Sequence, residues 1–109
     1  MNRTEKSIVV LSTSDDREVL ERIADCLVRE RLAACVQIGS SISSYYIWNG
    51  NLEKATEFQI VIKTFESKFS TIEQRIKSLH NYDVPQIIAI AVTNISDDYT
   101  AWLKESIDG

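Results

Sequence analysis

The chain has 109 residues, 44% of them hydrophobic and 26% charged, which is the size and composition of one globular domain. Twelve basic against 16 acidic residues leave a formal net charge of −4. That balance argues against nucleic acid and anionic membrane surfaces as partners, because both recruit clustered Lys and Arg.

Met1 to Lys6 is polar and lacks the apolar stretch of a signal peptide, and no run approaches the roughly 18 apolar residues of a membrane span. The expected localisation is cytoplasmic. Ile8-Val9-Val10-Leu11 is a short apolar run rich in β-branched residues and reads as a fully buried strand. Asp15 with Glu18 three residues later resembles a capping box. Val19, Leu20, Ile23, Ala24, Leu27 and Val28 then recur at helical spacing opposite charged residues. The only cysteines are Cys26, on that helix, and Cys35. They form no CxxC pair, so they read as packed, reduced thiols rather than as a disulfide or a structural zinc site.

Extended character returns from Ala33 to Ile38 and from Ile42 to Trp48, with a bend or bulge expected near Gly39. Asn49-Gly50 is a type I′ hairpin signal, since both residues tolerate positive φ. Beyond it Phe58, Ile60, Ile62 and Thr64 alternate with Glu57, Gln59, Val61 and Lys63. Phe65, Phe69, Ile72, Ile76 and Leu79 have helical spacing, with Ser70 and Glu73 as a second capping box and Ser67 as a rival start. His80 to Pro85 is a turn, closed by the only proline. Ile87 to Val92 reads as a central strand. Asp97 or Asp98 caps a last helix with Tyr99, Trp102, Leu103 and Ile107 as its apolar stripe.

This order predicts one α+β domain over residues 1–109, with its core at about 8–107. The architecture is a ferredoxin-like βαββαβ sandwich with a long β-hairpin and an additional C-terminal helix. The hairpin from Ala33 to Thr64 is longer than Ile8–Leu11 can pair, so its outer half overhangs with Tyr45, Tyr46, Ile47 and Trp48. A neighbouring subunit is the simplest cover for such an edge.

Glu30-Arg31-Leu32-Ala33-Ala34-Cys35-Val36 resembles the helix-to-strand junction of the CutA family, the divalent-cation tolerance proteins. Tyr46-Ile47-Trp48-Asn49-Gly50-Asn51-Leu52-Glu53, then Glu57 and Ile62-Lys63-Thr64, looks like that family's hairpin and third strand. His80-Asn81-Tyr82 before Pro85, with Tyr99 and Trp102, is similar to its closing segment, where the family usually has His-Pro-Tyr. The resemblance runs from about Val9 to Ile107. It implies a homotrimer related in shape to the PII signalling proteins, and a part in tolerance of copper and other divalent cations. The family's copper ligands, a cysteine and two histidines, fall on Ser12, Leu79 and His80. One imidazole with a hydroxyl is a poor Cu(II) site, so Cu(II) or another divalent cation is expected to bind weakly, at His80.

Each candidate has a plainer reading beside the functional one. His80 is a metal ligand or a helix C-terminal cap. Tyr46 and Trp48 pack against a partner chain or wall a small-molecule pocket between subunits. Glu57 and Lys63 share a strand face, as a cross-subunit ion pair or as polar anchors in that cleft. Tyr82 belongs to the same group through the closing segment.

No GxSxG, Walker loop or HExxH is present, and the single histidine leaves no ready acid–base pair, so no enzymatic activity is expected. The leading expectation is a CutA-like homotrimer concerned with divalent cations. The alternatives are a PII-like small-molecule sensor with clefts between subunits, or a purely structural trimer.

Overall fold

The computed structural model describes residues 5–109; the reading of Met1 to Thr4 lies outside them. The first apolar run belongs to β1, Ser7–Ser14, where Ile8, Val10, Ser12 and Ser14 share the face that the helices cover. Helix α1 is Arg17–Arg29 and buries Val19, Leu20, Ile23 and Leu27. Val28 is exposed rather than buried, because it lies at the edge of that stripe. The cap is Asp16, not Asp15: its carboxylate accepts from the Glu18 backbone N–H at 3.0 Å. Asp15 instead accepts from the Asn81 side chain at 2.8 Å.

The helix ends with Arg31 at φ 57°, in the left-handed region. Arg31 N–H donates to the Val28 carbonyl and Leu32 N–H to the Leu27 carbonyl, the two bonds of a Schellman ending. Leu32 and Leu27 lie in the same buried cluster, which supplies the apolar contact that accompanies this motif.

β2, Cys35–Trp48, and β3, Asn51–Phe65, form the hairpin, closed by Asn49 and Gly50 at φ 52° and 79°. Ile38 pairs with Ile60 but Ser41 with Phe58, so Gly39 and Ser40 together face Gln59 in a β-bulge. The bulge reverses the strand's facing. Val36 and Ile38 point to the helices, whereas beyond it Ile42, Ser44, Tyr46 and Trp48 share the face of Glu57. The Gly39 carbonyl accepts from Arg17 Nη1 at 3.3 Å.

A short 3-10 turn, Glu66–Lys68, leads into α2, Phe69–Leu79. The expected Ser70–Glu73 capping box does not form and Ser67 is not the cap: the cap position is Lys68, without a side-chain bond, and Ser67 donates to Glu5. Phe65 ends β3 and packs with Leu103 and Ile107 instead of lining α2.

The sheet order is β2-β3-β1-β4, with all pairs antiparallel, and β4 is Ile88–Ala91. Ile87 to Val92 is therefore an edge strand and not a central one. It pairs only with β1, and Ile88 and Ile90 are about half exposed. An all-apolar run implies burial on both faces, which this chain does not supply here. The last helix, α3, is Asp97–Asp108, capped by Ser96, which accepts from Tyr99 N–H at 3.1 Å. Asp97 and Asp98 occupy its first turn, where the helix dipole favours acids.

α1 and α2 cover one sheet face through Ile8, Val10, Ile60 and Ile62. α3 crosses part of the other face, around Phe65. β1 meets β3 only from Phe58 to Phe65, so the rest of the hairpin projects as a two-stranded arm. The molecule is accordingly 53 × 26 × 23 Å, with a radius of gyration of 15.0 Å against about 13 Å for a compact chain of this length.

Candidate functional site

At the root of the arm, the end of β1 meets the turn that follows α2. His80 caps α2 through its N–H to the Ile76 carbonyl. Its Nε2 lies 2.8 Å from the Thr13 carbonyl, a bond in which the ring must donate, and its Nδ1 accepts from Tyr82 N–H at 3.0 Å. Asn81 accepts from Ser14 Oγ at 2.6 Å and donates to Asp15. A proline at this place would have no amide group to do either. The Tyr82 hydroxyl accepts from Asp15 N–H at 2.9 Å and donates to Glu57 Oε2 at 2.6 Å. Burial, and then the Glu57 carboxylate, push the Tyr82 phenol well above its ordinary pKa.

Glu57 is only 8% exposed and faces a cleft of about 410 Å³. Tyr46, Trp48, Tyr82, Asp83 and Gln86 share the lining, with Thr13 at its base. Tyr46 and Trp48 reach it because they pair opposite Glu53 and Asn51, on the face of Glu57. The structure thus brings together Tyr46, Trp48, Glu57 and Tyr82 within one chain. Lys63 is elsewhere: its ammonium lies 5.8 Å from the Tyr99 ring, beside α3. Asp83 and Gln86 were missed by the sequence reading, since only the fold of the turn brings them to the arm.

The three positions that correspond to the family's copper ligands do not fit a metal. Ser12 is fully buried under the helices, and its hydroxyl finds no partner among the described residues. Leu79 carries no donor. Both ring nitrogens of His80 are engaged with backbone groups. Among the described residues no group of three or more His, Cys, Asp or Glu is placed to hold a metal ion. Nor is any helix long and apolar enough to cross a membrane.

A split βαβ sandwich with a projecting arm and an aromatic cleft at its root defines a ferredoxin-like α+β domain. The family model described as CutA1 divalent ion tolerance protein matches residues 8–106. The divalent-cation tolerance protein CutA of Thermus thermophilus is 40% identical over 98 residues, covering 90% of this chain and 95% of that one. The chloroplastic protein CutA of Arabidopsis thaliana is 40% identical over 105 residues, and this chain spans 58% of its length. The structure of the periplasmic divalent cation tolerance protein CutA from Archaeoglobus fulgidus matches with a TM-score of 0.90 at 34% identity. That match covers 94% of this chain and 99% of the other. This chain belongs to the CutA1 divalent ion tolerance family.

Proposed function

We propose that this chain acts as a homotrimer in the response to divalent cations, with weak or indirect contact to Cu(II). One observation carries the assembly: a single subunit leaves Ile88 and Ile90 on an edge strand half exposed, and Tyr45, Ile47, Trp48 and Leu52 exposed along a projecting two-stranded arm. Surfaces of this kind mark interfaces between subunits. The engaged nitrogens of His80 support weak cation contact, because a metal would have to break a backbone bond to bind there. The location we propose is the cytoplasm; relatives carry chloroplastic and periplasmic names. A second reading, a small-molecule sensor, draws support from the cleft at Glu57.

Light scattering combined with copper titration of tag-free protein tests the leading reading. The expected particle holds three subunits at low concentration, and Cu(II) binds no more tightly than about micromolar, roughly −8 kcal/mol. A stable monomer overturns the assembly. Nanomolar Cu(II) binding that disappears in His80→Ala overturns the weak-contact reading.

A further inference from the structure

We infer that the cleft at the root of the arm binds a protonated organic amine, its ammonium on the Glu57 carboxylate and its carbon frame against Tyr46 and Trp48. This goes beyond cation tolerance and does not require the trimer, since every group named comes from one chain.

The charge of the lining decides the sign of the ligand. Glu57 and Asp83 line the cleft, and no Lys, Arg or His does. An anionic ligand would meet two carboxylates without a countercharge. Glu57 lies almost wholly out of water, and among the described residues its one bond is from the Tyr82 hydroxyl to Oε2. It makes no ion pair there. A buried carboxylate with a neutral partner has an unmet demand for a cation, which a ligand ammonium satisfies. The Tyr82 hydroxyl, held as a donor, fixes the carboxylate's orientation.

The walls decide between an organic cation and a metal ion. Divalent cations of the hard type take about six or more oxygen ligands, and the cleft has no cluster of three acids. Tyr46 and Trp48 are aromatic faces that offer no such donors. They do attract an alkylated ammonium, through the ring quadrupole and through apolar contact. The volume of about 410 Å³ lies in the range of small-molecule sites.

The test is calorimetric titration of tag-free protein with choline and with butylammonium. The comparison ligands are 3,3-dimethylbutan-1-ol, the neutral analogue of choline, with butyrate and Mg²⁺. A Trp102→Phe background lets fluorescence report Trp48 alone. Choline or butylammonium is expected to bind saturably and perturb Trp48, while the alcohol and butyrate do not bind. Glu57→Gln is expected to weaken amine binding at least about tenfold at unchanged far-UV dichroism. Tyr46→Leu, at a partly exposed wall of the cleft and outside the core, is expected to do the same and serves if Glu57→Gln fails to fold. Equal binding of the neutral alcohol, full amine affinity in either folded variant, or no amine binding at millimolar concentration overturns the inference. Glu57-dependent binding of Mg²⁺ with none of amine overturns it too, and assigns the cleft to a metal ion. Light scattering on the same samples reports the oligomer separately, so loss of the trimer is not mistaken for loss of the site.

Discussion

Arg31 is the clearest case of local strain accepted for the sake of the fold. Its left-handed backbone costs an L-residue about 1–2 kcal/mol, whereas glycine adopts it freely. The Schellman bonds to Val28 and Leu27 need that conformation and do not need the side chain. Arg31→Gly is therefore expected to stabilise the protein by about 1 kcal/mol, read as a higher urea midpoint. An unchanged or lower midpoint would show that the Arg31 side chain matters more than its backbone. Tyr82 gives the opposite kind of case, in which the side chain is the point. Its pKa is raised by burial first and by the Glu57 bond next, so the folded state favours the protonated phenol. That stabilisation is fully present below the unfolded pKa of about 10 and is lost as pH climbs from there through the folded value. Urea unfolding should show Tyr82→Phe less stable than wild type at about pH 8, with the gap narrowing above about pH 10. A gap that stays constant into the alkaline range would mean that the phenol's proton contributes nothing.

Among the elements, the arm holds the most consequence in the fewest residues. It is a two-stranded ribbon, and such ribbons are marginal in water without a surface to lie on. Trp48 stands beside the turn and is 58% exposed within one chain. Burying that ring against a neighbour is worth on the order of 2–3 kcal/mol. If the proposed trimer forms, Trp48→Ala lowers its melting temperature and makes it depend on protein concentration, while isolated subunits retain native far-UV dichroism. An unaltered, concentration-independent melt would place Trp48 in the cleft alone. The arm was readable in the sequence because Asn49-Gly50 fixes a turn by backbone chemistry alone. The helix caps were less so, since runs such as Asp15-Asp16 and Ser96-Asp97-Asp98 offer rival caps one residue apart. Only the register of the incoming strand chooses between them.

For the whole molecule, the order strand–helix–hairpin–helix–strand was enough to specify the sheet, because periodicity changes sharply at each boundary. It was not enough to rank Ile87–Val92. Hydrophobicity records that a strand is meant to be covered, not whether its own chain or another does the covering. The cleft was legible as a list of residues, and Lys63 shows the limit of such a list: sharing a strand face with Glu57 left it at the far end of the sheet, beside Tyr99. Asp83 and Gln86 could not be placed before the turn's fold was known.

The bulge at Gly39 and Ser40 lets the two halves of β2 differ in parity while each keeps its partners on β3. Glycine is not required for it: a Cβ at Gly39 would meet the Gln59 carbonyl at an ordinary 3.9 Å. What matters is that one extra residue, an odd number, stands opposite Gln59. Remove one residue there, and β2 would pair one-to-one with β3: Ile38 would stay opposite Ile60, and Tyr46 opposite Glu53 on the face of Glu57. Over descent, the cleft is therefore held by the pairing of the arm with β3 rather than by the number of residues in β2. The bulge is the place where β2 can lose one residue while both of its halves keep their partners.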